Sequence, residues 1–157
     1  MKPMSRQQLA PDGADEAAKG QIRQANEALI LAAAERVFAG AGFGGATMAA
    51  IAEAAGLPKA NLHYYFGAKQ DLYRAVLART LQDWLVPTHD ITPQADPRQA
   101  LERYIRAKMA LSAQRPDASK VFANELLHGA PVLKGLLATD LRDMRSEERR
   151  VGKECLR

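Results

Sequence analysis

Residues 47–66 read TMAAIAEAAGLPKANLHYYF, and this stretch decides the fold. Its first half repeats apolar residues at the spacing i, i+3, i+4 and i+7, which predicts a short helix with one buried face.

Thr47 suits the N-cap of that helix, because its hydroxyl can accept a hydrogen bond from an otherwise unpaired backbone N–H. Gly56 ends the helix, and Leu57 anchors the turn. The residues on the buried face are Met48, Ile51, Ala52 and Ala55.

The second half of the stretch predicts another short helix, from Pro58 to about Tyr65. Proline is tolerated at the first helical position, where its missing N–H does no harm. Leu62 and Phe66, four residues apart, serve as core anchors on one side of this helix. Two short helices joined by a glycine turn have the spacing of a helix-turn-helix.

The rest of the second helix carries many polar side chains. Packing within the protein does not explain why so many occur on so short a helix. Tyrosine hydroxyls and a lysine ammonium suit phosphate oxygens, and asparagine can pair with adenine or bind a phosphate. Lys69, in the first turn of the next helix, adds a cation beside a positive helix terminus, which favours phosphate. The alternatives are that Tyr64 and Tyr65 are core aromatics and that His63 is an ordinary surface residue. The polar set is Lys59, Asn61, His63, Tyr64 and Tyr65.

A longer helix is predicted before this unit, from about Gln24 to Ala41, and four glycines end it. Phe43, inside that glycine-rich turn, is expected to pack into the core. Residues 1–22 lack periodicity and are predicted to form a flexible arm; contact with the DNA minor groove is the alternative. The apolar stripe of the long helix consists of two adjacent rows, Leu29-Ala33-Val37 and Ile30-Ala34-Phe38.

The remainder of the chain predicts four more helices and no convincing strand, so the fold class is all-α. Alanine, the strongest helix former, dominates the apolar content. Residues 145–157 mix charges without an apolar pattern, and we expect them to form a charged tail outside the domain; a frayed helix end is the alternative. The four helices run from about Ala68 to Pro87, from Asp96 to about Gln114, from Asp117 to about Leu127, and from Pro131 to about Met144.

Composition and charge exclude several classes of protein. The net charge is 22 − 18 = +4, which is compatible with nucleic acid but does not argue for it alone. No apolar run reaches the roughly 18 residues that span a bilayer, and no secretory signal opens the chain. Cys155 alone cannot form an internal disulfide, so a cytoplasmic protein without a membrane partner is expected. Three scattered histidines give no metal spacing and no catalytic set, so neither an enzyme nor a cofactor is expected.

The run from Thr47 through Tyr64-Tyr65-Phe66 to Lys69-Gln-Asp-Leu72-Tyr73 resembles the TetR family of bacterial repressors, and the likeness covers about residues 26–144. The resemblance implies a three-helix DNA-binding domain at about 23–70 and a ligand-binding and dimerisation bundle, here partial, at 71–144. It also implies that Ala60 and His63 approach base edges in the major groove. The residues that it places on the DNA backbone are Thr47, Lys59, Asn61, Tyr64, Tyr65 and Lys69.

Three positions depart from the family pattern. Pro58 stands where the family often has a serine, which removes a hydroxyl and an N–H. Ala68 stands where a serine usually caps the next helix, and this weakens the cap by about 1 kcal/mol. His63 stands where tyrosine or leucine is common, so the preferred operator sequence is left open.

Beyond residue 75 the chain is similar to one subgroup, the pyrimidine-utilisation repressors. The resemblance implies that a pyrimidine base such as uracil binds within the helical bundle, with Trp84 as a pocket aromatic; simple packing of Trp84 is the alternative. Arg106, Lys108 and Glu125 are polar positions on apolar helices, which we expect to be surface charges rather than ligand contacts. The stretches that carry this resemblance are Leu81-Gln-Asp-Trp84-Leu85-Val-Pro87, Tyr104-Ile-Arg-Ala-Lys108 and Phe122-Ala-Asn-Glu125-Leu-Leu-His-Gly-Ala130-Pro131.

These observations predict a ligand-responsive transcription repressor that inserts helix 58–65 into the major groove of a palindromic operator. The family resemblance implies a homodimer in the cytoplasm, associated with the bacterial nucleoid, and two dimerisation helices that we expect to be missing after Met144. The alternative from another class is an all-α module that binds a partner protein through apolar faces and does not bind DNA.

Overall fold

The computed structural model describes residues 12–92 and 94–138, and their regular structure is entirely helical, which confirms the all-α prediction. A 3-10 turn at Val86–Asp90 follows the fourth helix, and residues 131–138 are also helical. The named helices are α1 (Asp12–Gly45), α2 (Met48–Ala55), α3 (Lys59–Phe66), α4 (Lys69–Leu85), α5 (Pro97–Gln114) and α6 (Pro116–Leu127).

The start of α1 differs from the sequence prediction. The helix begins at Asp12 rather than near Gln24, so the part of the predicted flexible arm that lies at 12–22 is helical. Alanines favour helix in this segment, and an exposed helix needs no apolar stripe, so periodicity alone gave no signal there. Residues 1–11 and the predicted tail at 145–157 lie outside the described residues.

The end of α1 follows the prediction more closely. Gly42 has a left-handed φ of 69° with ψ of 174°, which breaks the helical path within the glycine-rich turn. Phe43, predicted to pack into the core, is 37% exposed, yet its ring lies 5.0 Å from that of Tyr73. Leu29, predicted in the buried stripe, is 52% exposed and marks the edge of the packed face.

One apolar core joins the N-terminal helices to the C-terminal ones. Its centre is the face of α1 formed by Ile30, Ala33, Ala34 and Phe38, and α2, α4 and α6 all pack on α1. Leu62 of α3 and Val121 of α6 belong to the same cluster. The predicted domain division at residue 70 therefore falls inside the first turn of α4, in a helix that both parts share.

The long helix α1 also contains a longer apolar stretch than the sequence pattern predicted. Between residues 17 and 45 it is long and apolar enough to cross a membrane, by length and composition alone. Its apolar face is buried against α2, α4 and α6 within the structure. This is the arrangement of a core helix in a globular fold.

Two polar clusters tie the C-terminal helices to α1 and α4. Arg115, between α5 and α6, forms ion pairs with Glu35 of α1 and with Asp83 of α4. Glu125 of α6 is only 5% exposed, which corrects the expectation of a surface charge. Its Oε2 accepts a hydrogen bond from the hydroxyl of Tyr73 at 3.0 Å.

The second oxygen of Glu125 holds the start of the last helical segment. Oε1 accepts from the backbone N–H of Val132 at 2.7 Å and of Leu133 at 3.3 Å, two groups that a helix start leaves unpaired. Burial, followed by the hydrogen bond to Glu125 and the charge of that carboxylate, raises the pKa of Tyr73 well above its usual range. The phenol therefore stays protonated and remains a donor to the carboxylate.

We expect Tyr73→Phe to lower the free energy of unfolding by about 1.5–3 kcal/mol, because it removes one hydrogen bond to a charged group while keeping the ring. Urea denaturation followed by circular dichroism measures this. Leu127→Ala, at a position that is 83% exposed, is the control and should change stability by less than about 0.5 kcal/mol. Equal effects of the two substitutions would show that the buried hydrogen bond contributes nothing.

Candidate nucleic-acid interface

The turn between α2 and α3 is built by local hydrogen bonds that the sequence predicts. The hydroxyl oxygen of Thr47 accepts from the backbone N–H of Ala50 at 3.1 Å and caps α2. Gly56 adopts the left-handed conformation with φ 67°, and the N–H of Leu57 donates to the carbonyl of Ala52 at 3.1 Å. These bonds satisfy the free ends of α2 and fix the direction in which α3 leaves the turn.

Helix α3 is held by its buried side, which leaves a polar face outward. Leu62 is fully buried, and Phe66 is half-buried against the core, so both predicted anchors face inward. Asn61 is half-buried at the edge of this face. The exposed side chains on α3 are Lys59, Ala60, His63 and Tyr64.

The two adjacent tyrosines of α3 have different surroundings. Tyr64 is 74% exposed, which argues against the core alternative at this position. Tyr65 is half-buried and packs against the core, so that alternative partly holds for its ring. The hydroxyl of Tyr65 accepts a hydrogen bond from Nδ2 of Asn26 in α1 at 3.3 Å, which leaves its own proton for another acceptor.

His63 is bound to the end of its own helix. Its Nδ1 lies 2.7 Å from the carbonyl oxygen of Gly67, and because a carbonyl only accepts, Nδ1 carries the proton of this bond. In the neutral ring Nε2 is then an acceptor. The exposed imidazole therefore has a fixed orientation and one nitrogen available to a partner.

Lys69 has intramolecular partners that the sequence did not reveal. Its Nζ donates to the carbonyls of Phe43 at 2.8 Å and Ala46 at 3.0 Å, and it lies 4.5 Å from the centroid of the Phe43 ring. The prediction placed this cation beside the positive start of α4, whereas the structure also places it on carbonyls at the end of α1. An ammonium has three donors, and these two hydrogen bonds use two of them.

Two further residues position the interface and were missed by sequence reasoning. Asn26 holds the hydroxyl of Tyr65, and Nη2 of Arg36 donates to the carbonyl of Ala54 near the end of α2 at 3.0 Å. Both partners lie far along the chain from the residues they hold, and a local motif carries no signal of such contacts.

The predicted ligand residue Trp84 lies apart from this interface, where α4, α5 and α6 meet. Its ring centroid is 4.5 Å from that of Phe122, and Nζ of Lys108 lies 3.7 Å from the Trp84 centroid. Burial lowers the pKa of Lys108, so this lysine is not the surface charge that was expected. Arg106 is exposed and pairs with Glu102 at 2.7 Å, as expected of a surface charge.

A cavity of about 740 Å³ lies at the junction of α1, α4 and α6. Phe38, Phe43 and Tyr73 line it together with Glu125 and Arg74. Trp84 is not part of its wall, so the cavity and the predicted ligand residue are separate features of the structure.

A helix-turn-helix with a buried anchor side and an exposed polar recognition face defines a class of DNA-binding proteins. Residues 30–76 match the family model for bacterial regulatory proteins of the TetR family, and residues 77–153 match the model for the C-terminal region of YcdC-like proteins. The chain belongs to the TetR family. The second match extends into the segment 145–157, which sequence reasoning placed outside the domain.

Curated relatives agree with this assignment. The chain is 41% identical over 124 residues to the HTH-type transcriptional regulator RutR of Escherichia coli, which covers 79% of this chain and 58% of the relative. It is 28% identical over 130 residues to the HTH-type transcriptional regulator BetI of Burkholderia lata, covering 80% of this chain and 66% of that relative. The chain thus spans less than two thirds of the length of RutR.

Solved structures share the fold. A TetR-like transcriptional regulator from a Rhodococcus species superposes with a TM-score of 0.62 at 27% identity, covering 74% of this chain and 64% of that one. The TetR family regulator PfmR from Thermus thermophilus gives a TM-score of 0.59 at 21% identity, covering 80% of this chain and 71% of its own. The second likeness concerns the fold alone.

The N-terminus of α4 offers a direct test of capping. Ala68 occupies the N-cap with extended backbone, and its N–H donates to Oδ2 of Asp71 at 3.2 Å, but alanine offers no acceptor in return. We expect Ala68→Ser to complete the cap and raise the free energy of unfolding by about 0.5–1 kcal/mol in urea denaturation. Ala123→Ser, at an exposed interior position of α6, adds the same hydroxyl without a cap and should lower stability slightly. If the two variants change the free energy of unfolding equally, the serine at position 68 does not cap α4.

Proposed function

We propose that the protein is a DNA-binding transcription repressor that inserts α3 into the major groove of its operator. The observation that carries this proposal is the exposed face of α3, where Lys59, Ala60, His63 and Tyr64 lie together around a fully buried Leu62. Such an arrangement leaves long donors free for phosphates and short or fixed side chains near base edges. The named relatives are transcriptional regulators rather than enzymes, which supports the same conclusion.

The proposed DNA contacts fall into two groups, those to backbone phosphates and those to base edges. Lys59 at the start of α3 and the exposed hydroxyl of Tyr64 are best placed for backbone phosphates. Thr47, Asn61, Tyr65 and Lys69 each have a structural role or a half-buried position, and each keeps a donor for phosphate. Ala60 and His63 would face the base edges, where Nε2 of the imidazole can accept from an exocyclic amine.

Repression by such a protein is proposed to need two copies. Helix-turn-helix dimers place their recognition helices in successive major grooves about 34–36 Å apart, and operator symmetry follows from the two-fold axis. A single copy makes half of the phosphate contacts, so it binds more weakly and with a smaller salt dependence. We place the dimer in the cytoplasm, in association with the bacterial nucleoid.

We assign the effector to a pyrimidine base such as uracil, with Trp84 as an aromatic residue of its pocket. The supporting observation is the half-buried aromatic and cationic cluster in which Lys108 lies over the Trp84 ring and Phe122 packs beside it. An indole face and a partly desolvated ammonium suit a planar ring that carries carbonyl acceptors. Likeness to the pyrimidine-utilisation repressors points to the same ligand class.

A second candidate function is an all-α interaction module that does not bind DNA. One observation favours it: Leu101, Ile105 and Met109 form an exposed apolar row at every fourth residue of α5. The same row also suits contact between two copies of this chain. Absence of DNA binding in the experiment below, together with concentration-dependent self-association, would favour this candidate.

We expect Lys59→Ala and Tyr64→Phe each to weaken binding to a duplex recovered by in vitro selection from a randomised pool. Loss of the lysine should reduce the slope of log K against log salt by about 0.9 for each bound copy, because each copy loses one phosphate contact. Fluorescence anisotropy at several salt concentrations measures both effects. Lys120→Ala removes an exposed cation from α6 and should leave the slope unchanged. Binding that neither α3 variant alters would rule out α3 as the recognition helix.

We expect uracil to change the fluorescence of Trp84, which is the one tryptophan of the chain and thus a reporter of this site alone. Excitation at the red edge of indole absorption avoids absorption by the base, and adenine is the matched control. Lys108→Met should weaken the response, because it keeps the packing over the ring and removes the donor. A response of equal size to adenine and uracil would contradict the pyrimidine assignment.

A further inference from the structure

The first turns of α1 lie outside the apolar core but beside the recognition helix. Residues 17–25 are exposed throughout, whereas the buried face of α1 begins at Ile30. Asn26 nevertheless binds the hydroxyl of Tyr65, which anchors this end of α1 to α3. Packing does not explain why the helix continues outward beyond that anchor.

This exposed segment forms a continuous surface with α3. A shallow depression is lined on the α1 side by Lys19, Gly20, Ile22 and Arg23 and on the α3 side by Tyr64 and Tyr65. Lys19 and Arg23 are four residues apart, so they share one side of the helix. Both cations thus border the same depression as the exposed phenol that we assign to DNA.

We propose that the outer part of α1, residues 17–25, is a second DNA-binding element in which Lys19 and Arg23 contact backbone phosphates flanking the site read by α3. The proposal rests on the proposed function, because α3 must first place this surface against a duplex. Continuity with the recognition face and the two cations point to DNA as the occupant. Lysine and arginine on phosphates give affinity and no base preference, so this element strengthens binding without changing the operator sequence.

The test compares two double variants that lose the same charge. Lys19→Ala with Arg23→Ala lowers the net charge from +4 to 4 − 2 = +2, and Arg98→Ala with Arg103→Ala on α5 does the same. All four positions are exposed, and alanine favours helix, so both proteins should fold; circular dichroism checks this. Helix α5 packs mainly on α4, α6 and the 3-10 turn, which makes it a control remote from α3.

On the selected duplex, the α1 double variant should reduce the slope of log K against log salt by about 1.8 for each bound copy, which is two phosphates at about 0.9 each. The α5 double variant should keep the wild-type slope. The ratio of affinities for the selected duplex and for a scrambled duplex of equal length should stay the same in both variants. The charge-preserving double variant Lys19→Arg with Arg23→Lys should keep the wild-type slope, because phosphate contacts need only the charge.

Trimming the duplex gives an independent readout. Removal of base pairs outside the selected site should weaken the wild-type protein but not the α1 double variant, which has no contact there to lose. A wild-type slope in the α1 variant, together with a reduced slope in Lys59→Ala, would overturn this inference and leave the proposed function standing. If the selection recovers no duplex that the wild-type protein binds, the proposed function itself is refuted. A changed affinity ratio would mean that α1 reads bases, contrary to the proposal.

Discussion

The structure depends on one buried face of α1, because three other helices pack against it. Ile30, Ala33, Ala34 and Phe38 are at most 1% exposed, and α2, α4 and α6 all contact this helix. The two alanines have no side chain beyond Cβ, so neighbouring helices can approach closely there. The larger Ile30 and Phe38 fill the space on either side. A change in this face would disturb the helix-turn-helix and the C-terminal helices together.

Three residues of the proposed DNA interface have structural partners within the protein. His63 is bound to Gly67, Tyr65 to Asn26, and Lys69 to the two carbonyls at the end of α1. These bonds restrict side chains that would otherwise lose rotational freedom on binding. If these side chains bind DNA as proposed, part of the entropic cost of ordering them is already met during folding, which favours higher affinity. A residue can thus be structural and contact DNA with its remaining donor.

The sequence predicts local features well and long-range ones poorly. The limits of α2 and α3 follow from Thr47, Gly56 and Pro58, whose capping and turn preferences act within a few residues. The extension of α1 to Asp12 was missed because an exposed helix has no apolar period. Glu125 and Lys108 were expected to be surface charges. That expectation failed because the burial of a polar residue depends on partners from distant helices, which a local sequence pattern does not reveal. The partners here are Tyr73 and Trp84, neither of which is near its partner in sequence.

Helix α4 connects the two proposed sites, since Lys69 lies at its start and Trp84 near its end. At a rise of about 1.5 Å per residue, these two positions are some 22 Å apart along one rigid element. A ligand beside Trp84 could affect the proposed interface through α4 if it favours a different position of that helix. Such a shift relative to α6 must break or stretch the buried bond between Tyr73 and Glu125. The same carboxylate binds the start of the helical segment 131–138, so that segment must respond as well. The hydrogen bonds of Glu125 therefore oppose displacement of α4 relative to α6 and to the helical segment 131–138.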